Sequence, residues 1–316
     1  MSAVAARASE PLLRVADLQA ARRGRTVLKG VTFDLAAGEC LGVAGPNGSG
    51  KSTLLAAIAS WLPTSSGTVT IAGKPIRRGI VPLEVGLATE QTIVYPRLSG
   101  RENLRLFGYL YGLRGPALEE RVEEMVGRFH IARWADRQAH TYSAGVGRRL
   151  HLAIAFIHRP ALLLLDDPSA ALDAPARQTV LQTIRELLER GTAVIVTSQN
   201  LADLELLAHR LLVLVDGEQR LVDSTRELVA RLGSGEVEIE IGETASGHLP
   251  LSPDLDRIDG VLSWRFQDGV IRAQVANPSH SLPAILSRLE RQGLLATRVE
   301  ARPPSLEQLL RDLVPG

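Results

Sequence analysis

Gly45-Pro46-Asn47-Gly48-Ser49-Gly50-Lys51-Ser52-Thr53 satisfies the pattern G-x-x-x-x-G-K-[ST], and both of its flanks suit it. Upstream, Cys40–Ala44 is a short apolar run of the kind that forms a buried strand. Downstream, Thr53 to Trp61 continues without a breaker as a helix. A strand feeding a glycine-rich turn that opens a helix is a phosphate-binding device. The glycines let backbone N–H groups curl around phosphate oxygens, and the helix N-terminus favours anions. Lys51 supplies a point charge to the β and γ phosphates, and the Ser52 hydroxyl can ligate Mg²⁺. The stretch from Gly45 to Thr53 therefore predicts nucleotide binding with Mg²⁺.

The chain has 316 residues, 45% hydrophobic and 22% charged, which is ordinary globular composition with room for two domains. A net charge of +1 and the lack of a basic stripe with interleaved aromatics argue against nucleic acid as a partner. Of 36 basic residues only Lys29, Lys51 and Lys74 are lysine, so in an arginine-rich chain Lys51 stands out as a chemical choice. Cys40 is the only cysteine, which excludes an intrachain disulfide. The longest apolar runs, such as Ala161–Leu165 and Leu211–Val215, are far short of a membrane span, and the N-terminal MSAVAARASE has no apolar core. A cytoplasmic protein is expected.

Residues 12 to 35 alternate apolar runs with turn signals and read as antiparallel strands. Ser65-Ser66-Gly67 reads as a turn before a strand at Thr68–Ile71. From about 97 to 155 apolar residues recur at helical spacing, predicting a helical insertion. Ala161–Leu165, the periodic stretch Ala176–Glu189 and Ala193–Thr197 form a strand–helix–strand unit of a parallel sheet. A boundary is expected at Gly233-Ser234-Gly235, which divides the chain into residues 1–232 and 236–316. Beyond it VEIEI, VLSWRF and VIRAQV alternate as strands, with a hairpin at Gln267-Asp268-Gly269. The helix LPAILSRLERQG, the strand ATRVEA and a last helix SLEQLLRDL follow. The fold class expected is α/β: a P-loop parallel sheet with an antiparallel subdomain and helical insertion, plus a small α+β C-terminal domain.

Leu162-Leu163-Leu164-Leu165-Asp166-Asp167 is a buried strand ending in two carboxylates; the first can hold Mg²⁺ and the second can polarise the attacking water. Between the phosphate loop and this strand lies Tyr142-Ser143-Ala144-Gly145-Val146, directly before an apolar helix. Here the chain resembles the ATP-binding subunits of ABC transporters, whose signature L-S-G-G-Q takes this place. Pro168 to Asp173 resembles the family's D-loop. Gln91 resembles its Q-loop glutamine, although a shift of one residue would put Glu90 there. The resemblance covers residues 12 to 232, with five motifs in family order. It implies that two ATP-binding subunits face each other, as homodimer or heterodimer, with each ATP held between one chain's phosphate loop and the other's Ser143 and Gly145. Closure is then transmitted to a separate transmembrane permease subunit. The tail ending Pro303-Pro304-Ser305-Leu306-Glu307 is similar to the domain appended in bacterial exporters, which implies an export subunit peripheral on the inner face of the cell membrane.

Several positions depart from the family. Its glutamate base is Asp167 here, shorter by about 1.5 Å, a C–C bond length. Its switch histidine is Gln199, which cannot carry a proton near neutral pH. Both changes fall on the hydrolysis side and predict slow turnover, with Asp167, Gln199, Gln91 and Lys51 as the catalytic group and Ser52, Asp166 and Gln91 at the metal. The family's adenine-stacking aromatic has Arg23 as its nearest counterpart, where a guanidinium could stack, but Arg23 reads first as a solvated surface arginine. Phe107, Tyr109 and Tyr111 read as helical core, with a groove for a membrane subunit as the alternative. Arg148 and Arg149 read as solvating the helix after the signature. Two other classes compete: an ATP-binding regulator without turnover, and a soluble ABC protein of DNA repair or translation. The second usually carries coiled-coil insertions or paired ATP-binding units, which this chain lacks.

Overall fold

The computed structural model describes residues 10–170, 172–231, 235–242, 255–276, 278–302 and Leu306. By its contacts the chain divides into two units, Met1–Thr225 and Arg226–Gly316. The first opens with β1 (Leu13–Arg22), β2 (Arg25–Leu35), β3 (Cys40–Ala44), α1 (Lys51–Ile58), β4 (Thr64–Ile71), β5 (Lys74–Pro75) and β6 (Val85–Ala88). There follow α2 (Gly100–Leu110), α3 (Gly115–Arg128), α4 (Ala144–Phe156), β7 (Leu162–Asp166), α5 (Ala174–Glu189), β8 (Ala193–Thr197), α6 (Leu201–Leu207), β9 (Arg210–Val215) and β10 (Glu218–Ser224). An antiparallel sheet runs in the order β2-β1-β4-β5. A six-stranded sheet runs β10-β9-β3-β8-β7-β6, with parallel pairing throughout except between β9 and β10.

The five-residue strands β3, β7 and β8 are buried along their whole length, as expected where helices cover both faces of a parallel sheet. Their register decides where chemistry can occur: Val43 and Asp166 both pair with Thr197, so the loops leaving β3, β7 and β8 emerge side by side at the carboxyl edge. Leu41, Val43, Leu54, Ile58, Leu164 and Ile195 belong to one core that also takes in the antiparallel sheet, which seats the phosphate loop on packed apolar layers.

The expected turn at Ser65-Ser66-Gly67 is instead part of β4. The register of β1 against β4 shifts between Ala16 and Gln19, and Gly67, at φ 85°, passes so close to β1 that a Cβ would lie 2.2 Å from the Asp17 carbonyl oxygen. A glycine that signals a turn in sequence here marks a bulge.

In the second unit, α7 (Thr225–Arg231), whose first residue closes the first unit, precedes β11 (Gly235–Ile241), β12 (Val261–Gln267), β13 (Val270–Val275), α8 (Pro278–Arg291) and β14 (Ala296–Arg302). The division falls between Thr225 and Arg226, in the first turn of α7, and Gly235, expected in a linker, is the first residue of β11. The sheet order is β12-β13-β11-β14, antiparallel, with Ile285 and Leu289 of α8 in its core beside Val237, Ile239 and Ile271. The helix expected at SLEQLLRDL lies, apart from Leu306, outside the described residues.

Candidate nucleotide site

The loop between β3 and α1 needs its glycines for space. Gly45 has φ 147°, and a Cβ there would sit 2.0 Å from the Leu214 carbonyl oxygen. Gly50, the N-cap of α1, has φ 108° and no room beside Leu28. The Lys51 ammonium folds over this loop and donates to the carbonyls of Gly45 (2.8 Å) and Pro46 (2.9 Å). Burial lowers its pKa, while Asp166, Asp167 and Glu90 oppose that shift.

At the end of β7, Asp166 accepts a bond from the Thr197 hydroxyl (2.6 Å), which in turn accepts the Asp167 N–H (3.0 Å). Thr197 thereby locks the two acidic residues to β8. Asp167 adopts φ 45°, which turns the chain sharply out of the strand. Burial raises its pKa, Arg148 opposes that, and the backbone N–H of Gln199 bonds its carboxylate.

A cavity of about 340 Å³ is lined by Asn47, Gly48, Gly50, Lys51, Ser52, Thr53, Asp166, Asp167, Gln199 and Glu90, among others. A second, of about 410 Å³, shares Arg22, Ser52, Thr53, Glu90 and Asp166 with it and extends to Trp61, Leu62, Ile93 and Gln91. The structure therefore brings together the phosphate loop, Lys51, Ser52, both carboxylates and Gln199. It does not bring Ser143 or Gly145 to either cavity. Ser143 caps α4, accepting from the Val146 N–H at 3.4 Å, and it is exposed with Ala144 at that helix's N-terminus.

The structure bears on several of these expectations. Gln91 lines only the outer cavity, whereas Glu90, the alternative for its place, lines both and acts electrostatically on Lys51 and Asp167. Arg22, not Arg23, lines the cavities, because Arg23 at φ 52° begins the turn into β2. Phe107, Tyr109 and Tyr111 are not helical core: Tyr109 is 55% exposed, Phe107 leans on Tyr95, and Tyr111 stacks on His158 with centroids 3.6 Å apart. Arg148 is not a solvated cation but is 97% buried, with 3% of its surface exposed, and its guanidinium bonds backbone carbonyls around the site. Arg149 is half-buried and donates to the His130 carbonyl (2.9 Å). A parity of spacing with the exposed helical face hides such a residue in sequence; two adjacent arginines on one helix give no signal of which turns inward.

Among the described residues no group of three or more His, Cys, Asp and Glu side chains is placed to hold a metal ion, and Cys40 is buried in β3. The glycine cradle, Lys51, Ser52 and Asp166 fit a nucleotide triphosphate, with the hydroxyl and carboxylate beside the phosphate channel.

A doubly covered parallel sheet with this loop at its carboxyl edge defines a P-loop nucleotide-binding protein. The family model described as ABC transporter matches residues 28–170. The chain is 32% identical over 238 residues to a linearmycin resistance ATP-binding protein of Bacillus subtilis (strain 168), covering 75% of this chain and 76% of that protein. It is 31% identical over 291 residues to a daunorubicin resistance ATP-binding protein of Streptomyces coeruleorubidus, covering 92% of this chain and 91% of that one. A solved structure described as the ATP binding subunit of an ABC transporter superposes with a TM-score of 0.65 at 26% identity, covering 70% of this chain and 93% of that one. The chain belongs to the ATP-binding subunits of ABC transporters. It binds ATP and is an ATPase, and proteins of this family dimerise and work with transmembrane partners.

Proposed function

We propose that this subunit energises export through a separate transmembrane subunit, binding MgATP between two ATP-binding chains and hydrolysing it slowly. The observation that carries the paired arrangement is the division of the site. Lys51, Ser52, Asp166, Asp167 and Gln199 converge at one sheet edge, while Ser143 and Gly145 stand apart on the first turn of α4, with Ser143 open to solvent. A second chain's Ser143 hydroxyl and Gly145 N–H would complete the γ-phosphate's ligands. Ser52 and Asp166 would hold Mg²⁺, which neutralises charge on the β and γ phosphates.

Export is supported by the likeness to a Nod factor export ATP-binding protein of Paraburkholderia xenovorans (strain LB400), 31% identical over 238 residues. Docking on a membrane partner is supported by exposed apolar side chains at Ile80, Leu83, Ile93, Tyr95, Tyr109 and Leu110, grouped in the segments around β6 and at the end of α2. Among the described residues no helix is long and apolar enough to cross a membrane. Work through a transmembrane partner would hold the chain peripherally on the inner face.

Slow hydrolysis follows from Asp167 and Gln199. Asp167 is one methylene short of a glutamate, and a misplacement of about 1 Å can cost roughly a hundredfold in rate. Gln199 is exposed at the end of β8 and cannot relay a proton. The test is steady-state ATPase activity of the full chain, alone and assembled with its membrane partner. Asp167→Glu is expected to raise kcat by roughly tenfold or more, and Lys51→Ala to abolish turnover. An unchanged rate in Asp167→Glu would remove the explanation of slowness, and turnover surviving in Lys51→Ala would remove the site.

A further inference from the structure

We propose that Arg148 is a positioning residue for ATP hydrolysis: a single guanidinium that fixes the segment at Glu90, the acidic turn after β7 and the start of the D-loop to the helix bearing the signature. Its donors are used to the last one. Nε donates to the Pro168 carbonyl (3.3 Å), Nη1 to those of Thr89 and Glu90 (3.0 Å for the latter), and Nη2 to those of Asp166 (2.6 Å) and Asp167 (2.7 Å). Five N–H donors meet five carbonyls from two separate segments, Thr89–Glu90 and Asp166–Pro168. No salt bridge within 4 Å involves Arg148 among the described residues; its hydrogen bonds go to carbonyls, and the charges of Asp167, Asp166 and Glu90 act on it through space at a site 97% buried.

The bonds explain the backbone they touch. In an extended strand consecutive carbonyls point to opposite sides, so one nitrogen cannot bond both. Asp167 at φ 45° turns its peptide so that its carbonyl and that of Asp166 converge on Nη2. This left-handed conformation is uncommon for a residue with a Cβ, although aspartate tolerates it, and the bonds from Nη2 to the carbonyls of Asp166 and Asp167 favour it here. The same turn sets where the Asp167 carboxylate points. Nη1 fixes the backbone at Glu90, whose side chain lines the phosphate cavity. Arg148 lies on α4 one turn after Ser143, so the helix that presents the signature and the loops that handle the γ-phosphate move as one body.

The phosphate loop makes none of these contacts, which gives the proposal its test. In the purified full chain, Arg148→Lys keeps a charge but offers three donors from one point, and Arg148→Gln keeps neither fork nor charge. For both we expect kcat to fall by roughly tenfold to a hundredfold, with the Kd for ATP within about twofold of wild type. Arg148→Lys with wild-type kcat would show that the fork is dispensable, and equal losses in kcat and ATP affinity would reduce Arg148 to general support; either overturns the proposal. Hydrogen exchange on the wild-type chain tests the same claim without substitution. Residues 89–91, 144–150 and 166–168 should open as one cooperative unit, with equal opening free energies and equal denaturant dependence. Independent opening of the α4 segment would sink the idea. Wild-type chain that hydrolyses no ATP would contradict the family assignment and not this tether, which the exchange experiment still reads.

Discussion

Glu90 puts a third carboxylate beside Asp166 and Asp167 at the mouth that must receive a polyanion, with Lys51 the ammonium facing all three. Its charge opposes the incoming γ-phosphate, and Glu90→Gln removes that charge while keeping the amide shape. For an exposed side chain the change is on the order of 1 kcal/mol, so the Kd for ATP should fall by roughly fivefold at low salt and much less at about 1 M salt. A nucleotide titration at the two ionic strengths checks it; an unchanged Kd at low salt would place Glu90 outside the electrostatic reach of the phosphates. At this scale the sequence was informative where chemistry demands a residue type, as at Lys51, Ser52 and Asp166. It was ambiguous between Glu90 and Gln91, because the loop after β6 has no period to say which neighbour faces inward. There the Thr89 hydroxyl donates to the Gln91 carbonyl, folding the loop back, and Arg148 holds the Glu90 carbonyl from behind.

At the scale of elements, strands β3, β7 and β8 were legible as short apolar runs closed by turn residues, and α5 as a periodic stretch between them. The carboxyl-edge site follows from those alone. β5 and β6 carry two and four residues, too few for any period, and β6 contains Gly86, whose lack of a Cβ lets the Ala155 carbonyl approach to 2.1 Å of where that atom would be. Such close backbone approach is a tertiary requirement that a lone glycine does not announce. Two elements give predictions. Gly45→Ala places a methyl 2.0 Å from the Leu214 carbonyl on a backbone at φ 147°, so β3 and β9 must part. It should destabilise by about 3 kcal/mol or more, seen as a lower urea midpoint, and ATP binding should be lost with it. Ser143→Asp keeps an N-cap at α4 and so should leave the melting temperature within about 2 °C. It sets a carboxylate where a second chain's phosphate is proposed to lie, and ATPase activity of the assembled complex should fall to background. Retained activity in Ser143→Asp would show that the signature does not complete a partner's site.

The whole molecule divides into two compact units, and acid should act on the first through the buried His151 and the half-buried His158. Burial pushes His151 and His158 down to about 4, helped in His151 by the Arg148 charge and in His158 by Arg121, while the bond to the Val85 carbonyl opposes the shift in His158. In the unfolded chain both titrate near 6.5. Between pH 6.5 and 4 the unfolded state therefore binds more protons, and stability falls as pH falls, by up to about 3 kcal/mol for each histidine. Above pH 7 both are neutral in either state and the contribution is flat. His151 Nδ1 is buried without a partner, so His151→Leu removes both the titration and an unsatisfied nitrogen at similar volume. His158 stacks on Tyr111, and His158→Gln breaks that contact but leaves an amide for the Val85 carbonyl. Urea midpoints of the full chain measured from pH 7.5 to 4.5 should slope downward below about pH 6.5, and each substitution should remove roughly half of that slope. If the double variant loses stability as steeply as wild type across this window, carboxylates and not these histidines govern the acid response of the first unit.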